Sequence, residues 1–368
     1  MKKKLPYNFI NIIKPSLRRT AGGMLISPDR GDILLCFTTG NYFNEGHKER
    51  LMIYLDNGIS VFSGRQYHCD PRRCARDSVN LVSHAHFDHV PSSFNGSVIC
   101  SEITGAVAGE RTGTRLQVAE CADVEMLDSG HVPGSTMFLI RGERQVLYTG
   151  DLCTRTKYFS PGAKPVKAHT LVIESTFGRD KYVFPPTGET VKSMRDWAED
   201  NAAKDLHSVI YAYTFGKAQE VLAAMSGFDL YATVPIIKMN SILTRFGHSF
   251  GARPVPDEPA GPAVIVSSSA GRNDPKVKKY LAAGARTASV SGWAVDAGHR
   301  YAARVDTAFP LSDHADYDEL MEFTRQVGPE VVYTFHGSDK QLARDIREKL
   351  GIEASALRKG HLTLSHFM

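Results

Sequence analysis

Short apolar runs, several alternating with polar neighbours, mark the first part of the chain: ILLCF, RLMIYL, ISVFSG, QYHC and VNLVS, then MFLIRG, RQVLYTG and TLVIEST. Runs this short, rich in β-branched and aromatic residues and bounded by Gly, Asn-Gly or Asp-rich turns, predict strands joined as hairpins in a mixed or antiparallel sheet. Few helices interrupt them, EITGAVAGER being the clearest. After FPPTGE, near residue 185, the texture changes. TGETVKSMRDWAEDNAAK, GKAQEVLAAMSG and DPKVKKYLAAG carry helical spacing, and the strand-like SVIYAYTF, PAVIVSSS and RTASVSG stand between or after them. Strand and helix in such alternation predict a small parallel α/β unit. From about residue 310 come a helix (YDELMEFTRQVG), a strand (EVVYTF), a second helix (DKQLARDIREKLG) and a closing strand. The middle block therefore reads as inserted into a first domain: 1–183 and 310–368 as its two parts, 184–309 between them.

A chain of 368 residues with 42% hydrophobic and 23% charged positions can bury a large core, as one big domain or two. No run approaches the eighteen or so apolar residues of a membrane span. The start MKKKLPYNFINIIKP has basic residues but no long apolar stretch or small-residue cleavage site, so a cytoplasmic protein is expected. The cysteines Cys36, Cys69, Cys74, Cys100, Cys121 and Cys153 are scattered without a C-x-x-C pair, which predicts free, mostly buried thiols. Cys69 and Cys74 lack the second pair that a structural zinc site would need. Net charge is only +4, a mild bias toward polyanions. Lys2, Lys3, Lys4, Lys14, Arg18 and Arg19 form a basic start without acids, either a solvated tail or a phosphate-contacting arm.

The chemistry concentrates in NLVSHAHFDHV, where His84, His86, Asp88 and His89 crowd the loop after a strand. Imidazole and carboxylate are the ligands of zinc and similar ions, and a turn at a strand's end can fan alternate side chains toward one point. SGHVPGS offers His131 before a strand, and LYTGDL offers Asp151 just after one. Three such fragments at strand ends point to a metal centre.

HAHFDH, GHVPGS and YTGD together resemble the metallo-β-lactamase fold, an αββα sandwich with metals at one sheet edge. Asp70 in YHCDP matches an acid that orients the ligands in that family. IESTFG with Glu174, PLSDHADYDEL with His314 and YTFHG with His336 resemble motifs A, B and C of the β-CASP nucleases, and the block at 184–309 sits where that family carries its α/β cap. AYTFGKAQEVL, SGWAV and PLSDHADYDEL resemble the prokaryotic exonucleases associated with DNA ligase, often described as messenger-RNA 3′-end processing factors. The likeness covers roughly residues 66 to 345. Ser83 stands where Thr commonly precedes the first ligand, and Glu174 where Asp is frequent; neither removes chemistry. His336 matches the RNA-processing members, whereas the ligase-associated likeness points to DNA.

The resemblance implies two zinc ions, with His84, His86 and His131 on the first, Asp88, His89 and His336 on the second, and Asp151 bridging. A hydroxide between the metals would attack the phosphodiester. His314, oriented by Glu174, would stabilise or protonate the leaving group. Asp88, His314, Glu174 and Asp70 make up the expected catalytic set. For substrate phosphate, Lys217 in FGKAQE, Ser268 and Arg272 in VSSSAGR, and Ser312 are candidates; Lys276, Lys278 and Lys279 read as a solvated helix face. The expected activity is hydrolysis of single-stranded DNA or RNA, exonucleolytic by preference. The resemblance also implies association with DNA-repair or RNA-processing proteins, with no membrane contact and the oligomeric state open. A small-molecule metallohydrolase would lack the cap and motif B, and an inactive scaffold would lack ligands.

Overall fold

The computed structural model describes residues 51–258 and 261–358, together with two-residue strands at Arg18–Arg19, Leu25–Ile26, Ile33–Leu34 and Thr363–Leu364. Most of the basic start, and Cys36, lie outside the described residues.

Two six-stranded sheets are built from residues on both sides of the middle block. One runs Thr363–Leu364, Met52–Asp56, Gly58–Ser63, Arg65–Cys69, Val79–Leu81, Val98–Ile99; the other runs Glu353–Ala356, Val331–Phe335, Thr170–Glu174, Val146–Tyr148, Thr136–Ile140, Val124–Asp128. Alternation along each strand decides which face meets which layer. Phe138, Ile140, Tyr148 and Val172 join Ile53, Val61, Tyr67 and Leu81 in the core between the sheets. Met137, Leu139, Leu171 and Ile173 point the other way, onto Leu320 and Phe323 of helix Tyr317–Val327 and onto Leu342 and Ile346. On the outer side of the first sheet, helix Glu102–Thr112 packs Val107 and Ala108 against Val82 and Val98. Ser101 caps that helix by accepting from Thr104 N at 3.1 Å, and Gly113 ends it in the left-handed region. The layers are those of the αββα sandwich.

A third sheet has all its strands between Ser208 and Phe309, and every pairing in it is parallel. Its order is Arg253–Pro254, Leu230–Ala232, Val264–Ser267, Ser208–Tyr211, Arg286–Val290, Thr307–Phe309. Ile210, Val266 and Ala288 share a core with Met194, Val221, Leu243 and the Val107–Ala108 helix face, whereas Val209, Ile265 and Tyr280 fill the opposite face.

The sequence reading leaves some elements unassigned. Helix Val234–Thr244 and strand Leu230–Ala232 were not expected, because FDLYATVPIIKMNSILT reads as one apolar run whose boundary is set only by Thr233 and Pro235. Strand Val124–Asp128 is half-exposed, so its pattern is weak. Cys69, Cys74, Cys100, Cys121 and Cys153 are free thiols, and all but Cys121 are buried. Among the described residues no helix is long and apolar enough to cross a membrane.

Candidate metal centre

The centre is assembled by chain ends of the two sandwich sheets. Strand Val79–Leu81 stops, Val82 N still bonds Ile99 O at 2.9 Å, and the next residues turn inward, with His89 N and Val90 N both on His86 O at 3.1 Å. Asp70 pins this turn from beneath. Its carboxylate accepts from Ser83 N (2.7 Å), Ser83 Oγ (2.6 Å), His89 Nδ1 (2.6 Å) and Tyr148 OH (2.7 Å). Asp70 has φ 46°, and His336, beyond the end of its strand, has φ 60°. Left-handed backbone at a residue with a Cβ costs on the order of 1–2 kcal/mol, and it occurs here at two positions of one site. Gly150 brings the Asp151 loop against the His84 loop: with φ 53°, a Cβ there would lie 2.6 Å from Ser83 Cβ.

The outward ring nitrogens of His84, His86, His89 and His131 are all engaged. His84 Nδ1–H donates to Ser83 Oγ (2.9 Å), whose own proton is committed to Asp70. His86 Nε2–H donates to the Phe215 carbonyl (3.1 Å), His89 Nδ1–H to Asp70, and His131 Nδ1–H to the Asp313 carbonyl (2.9 Å). Each opposite nitrogen then turns to the centre. His86 Nδ1 lies 3.1 Å from both His84 Nε2 and His131 Nε2, and with the outward nitrogens donating, these atoms confront one another as lone pairs. Asp151 Oδ2 is 3.4 Å from His84 Nε2 and from His89 Nε2, and 3.6 Å from His131 Nε2. His336 Nδ1 is 3.8 Å from Asp151 Oδ1. His89 Nε2 and Asp151 Oδ1 are buried without any hydrogen-bond partner.

Burial drives His84, His86 and His131 below the usual imidazole range, which keeps them neutral and able to ligate. At His89, burial is outweighed by Asp151 and Asp70, which raise it to about 10. Asp151 is held well below the carboxylate range, against burial, by His89 and the surrounding imidazoles. Facing lone pairs, two orphaned polar atoms and a buried carboxylate are what a divalent cation satisfies, and outward-bonded imidazoles are how proteins aim such ligands. Ligand atoms of His84, His86, His131 and Asp151 lie mutually within 4.8 Å, as do those of His89, Asp151 and His336. The donor set fits a divalent metal.

Asp88 is not drawn in with the others. Its side chain is 74% exposed and its carboxylate reaches only His89 Nε2, at 3.6 Å. It belongs to none of the ligand-atom groups among the described residues.

His314 stands beside the centre, its ring centroid 4.5 Å from that of His131. Its Nδ1 donates to Glu174 Oε1 at 2.9 Å. Glu174 is fully buried and also accepts from Leu152 N (2.7 Å) and Thr176 N (3.2 Å). Against burial, Glu174 raises His314 to about 10, so the ring holds a proton through neutral pH.

The expected phosphate contacts are corrected by the structure. Lys217 is 1% exposed, bonded to Glu220 at 2.6 Å and 3.9 Å from Asp313, so its charge is spent inside the protein. Arg272 donates to the Ala303 carbonyl (2.5 Å) and stacks on Tyr211 (4.3 Å). Ser268 caps a short 3-10 turn through Gly271 N, and Ser312 is buried, exchanging bonds with His314 N and O at 3.0 Å. Lys276 and Lys279 bond the Val255 and Asp257 carbonyls at 3.1 and 2.8 Å.

Sequence reading missed the residues that hold the His314 loop. Arg155 donates to the Ser312 (3.3 Å) and His314 (2.5 Å) carbonyls and pairs with Glu319. Lys157, buried, donates to the carbonyls of His131 (2.8 Å) and Asp313 (3.2 Å). Their only signal was a pair of cations in DLCTRTK, close behind Asp151.

The Zn-dependent metallo-hydrolase RNA specificity domain family matches residues 299–357. Over 298 residues the chain is 34% identical to a probable DNA ligase of Opitutus terrae, covering 76% of this chain and 28% of that protein. It is 28% identical over 186 residues to the DNA cross-link repair protein pso2/snm1 of Schizosaccharomyces pombe (44% of this chain, 33% of that one). It is 28% identical over 107 residues to RNase aCSPSF2 of Saccharolobus solfataricus (28% and 21%). The chain thus spans a third or less of the length of these relatives. The sandwich, the ligand cluster at its edge and these likenesses agree: the chain belongs to the β-CASP metallo-β-lactamase nuclease family.

Proposed function

We propose that this protein is a zinc-dependent nuclease that hydrolyses phosphodiester bonds of single-stranded DNA or RNA, exonucleolytically by preference. The observation that carries the reading is a histidine–carboxylate pair set beside a metal-ligand cluster: His314, bonded at Nδ1 to buried Glu174 and ring-to-ring against His131. A small-molecule hydrolase would need no such group at this place.

In this reading His84, His86 and His131 would hold one zinc and His89 and His336 a second, with Asp151 shared between the two groups and Asp88 turning in from solvent beside His89. Bound zinc would supply an acidified water near neutral pH and offset the charge of the phosphate. The chain's own residues do the rest. Asp70 fixes the His89 ring and, through Ser83, the tautomer of His84. The Phe215 carbonyl fixes His86 and the Asp313 carbonyl fixes His131. His314 keeps a proton at Nε2 and passes it to the departing oxygen, while Glu174 stabilises the imidazolium and sets its orientation. Arg155 holds the loop so that this proton stays in place.

We assign residues 184–309 as an inserted cap, with residues 310–368 completing the domain that precedes it. The all-parallel sheet confined to Ser208–Phe309 supports this division. A place beside DNA-repair or RNA-processing proteins is proposed on the names of the relatives.

The test is digestion of end-labelled single-stranded DNA and RNA of matched sequence, with 5′-phosphate and 5′-hydroxyl ends, alongside nitrocefin. Zinc-dependent release of nucleotides is expected. Hydrolysis of nitrocefin with both polymers intact would reverse the assignment.

A further inference from the structure

Three aromatic side chains near the ligand cluster leave ring surface open to solvent. Phe87, between His86 and Asp88, is 72% exposed, Tyr213 is 63% exposed, and Trp293 39%. Isolated exposed aromatics are ordinary, but rings of this size are among the strongest core formers, and several around one centre call for an explanation.

Phe87 and Tyr213 belong to the His86 side. Phe87 rests on Arg111, whose guanidinium lies 4.7 Å from the ring centroid and which also lies 5.4 Å from Phe215 and donates to the Ala85 carbonyl. A fixed cation thus backs the ring, while its exposure leaves aromatic surface open. Tyr213 is two residues before Phe215, the residue whose carbonyl holds His86 at 3.1 Å.

Trp293 belongs to the His314 side. Its ring lies 4.6 Å from Phe177 and edge-on to Tyr182 at 5.4 Å, and Phe177 in turn lies 6.0 Å from His314. Gly292 permits this approach, since a Cβ there would lie 2.6 Å from the Phe177 ring and 2.8 Å from Ser312 Oγ.

Tyr213 and Trp293 also follow the C-terminal ends of two neighbouring parallel strands, Ser208–Tyr211 and Arg286–Val290. That edge of a parallel sheet is where α/β proteins bind ligands. The stretches AYTF and SGWAV therefore present aromatic surface to the site without contributing a ligand or an acid.

We propose that Phe87, Tyr213 and Trp293 form a base-stacking track that seats the nucleobases of a single strand across the metal centre. The track rests on the nuclease reading above and adds to it a mode of recognition. Stacking reads the π-face that every base has, so it grips single strands with little sequence preference. In a duplex those faces are covered by neighbouring bases, so the track discriminates against double strands.

The experiment uses the zinc-loaded full chain and short phosphorothioate strands of DNA and of RNA, each in a base-bearing and an abasic form, with affinity read by fluorescence anisotropy. Wild-type protein is expected to bind the base-bearing strands more tightly. Phe87→Ala, Tyr213→Leu and Trp293→Leu should each lose about thirtyfold on base-bearing strands, a middle value for one base–aromatic stack, with no loss on abasic ones. Tyr213→Phe and Trp293→Phe, which keep a ring, should retain most of the preference. Retained abasic binding also reports that a variant is folded; should Trp293→Leu disturb the packing on Phe177, Phe87→Ala, which removes a ring 72% exposed against Arg111, still decides. Equal affinity of the wild type for both forms, or equal loss on both in the variants, overturns the track. If wild-type protein cleaves ordinary strands yet shows no base preference, the track alone fails. If it neither cleaves nor binds any strand, the nuclease reading fails and takes the track with it.

Discussion

Replacing His314 by alanine separates proton transfer from metal binding. The substitution removes one donor from Glu174, which keeps the amides of Leu152 at 2.7 Å and Thr176 at 3.2 Å. Breaking a buried pair outright costs about 3–5 kcal/mol, but amide bonds to a charged group recover part of this, so about 1–2 kcal/mol of lost stability is expected. The fold should therefore survive. No ligand atom of the principal cluster is removed, since His84, His86, His131 and Asp151 form it without His314. Metal content should stay at the wild-type level by atomic emission. Turnover on end-labelled single strands should fall by about 10²–10⁴, the usual worth of a positioned acid, which is about 3–5 kcal/mol of barrier. Oligonucleotide affinity should change little, because His314 acts on the departing oxygen. His336→Ala is the matched control: its Nδ1 lies 3.8 Å from Asp151 Oδ1, so its loss should lower metal occupancy and be partly rescued by excess zinc. If His314→Ala loses metal as readily as His336→Ala, or keeps near-normal rates, the division of roles is wrong.

His86→Ala and Asp151→Ala should each lower metal content and abolish cleavage, and a chelated wild type should melt earlier because bound metal stabilises the folded state by mass action; full activity in metal-free protein would contradict both readings. Asp70→Asn removes the charge that gathers Ser83, His89 and Tyr148, and should weaken metal affinity by about 10–100-fold, measured by competition with a chromophoric chelator. Gly150→Ala forces a Cβ to within 2.6 Å of Ser83 Cβ at φ 53°, and should lower thermal stability by about 1–3 kcal/mol together with metal occupancy; an unchanged melting curve would show that the two loops are free to separate.

Local pattern determined a good deal of this protein. Two-residue alternation in TMFLI already divides Phe138 and Ile140 from Met137 and Leu139, and these face different cores. Helical spacing located Thr187–Ala202 and Tyr317–Val327. The motifs HAHFDH, GHVPGS and YTGD carry residue types whose chemistry is the same wherever the chain places them, so the metal candidates were readable before any fold. Exposure and partner choice were not, because they depend on contacts between residues far apart in the chain. Lys217 at a helix start reads as a phosphate donor, yet packing turns it onto Glu220 and Asp313. Asp88 shares a motif with buried ligand candidates, and its own side chain is left facing solvent. His86 is oriented by a carbonyl 129 residues away, and His314 by a carboxylate 140 residues away. Arg155 and Lys157 hold the His314 loop through backbone carbonyls, which every residue has, so no residue type in the sequence could mark those contacts. Side-chain chemistry is fixed residue by residue, but a hydrogen bond needs its two atoms within about 3 Å, and only the packed sheets bring them there.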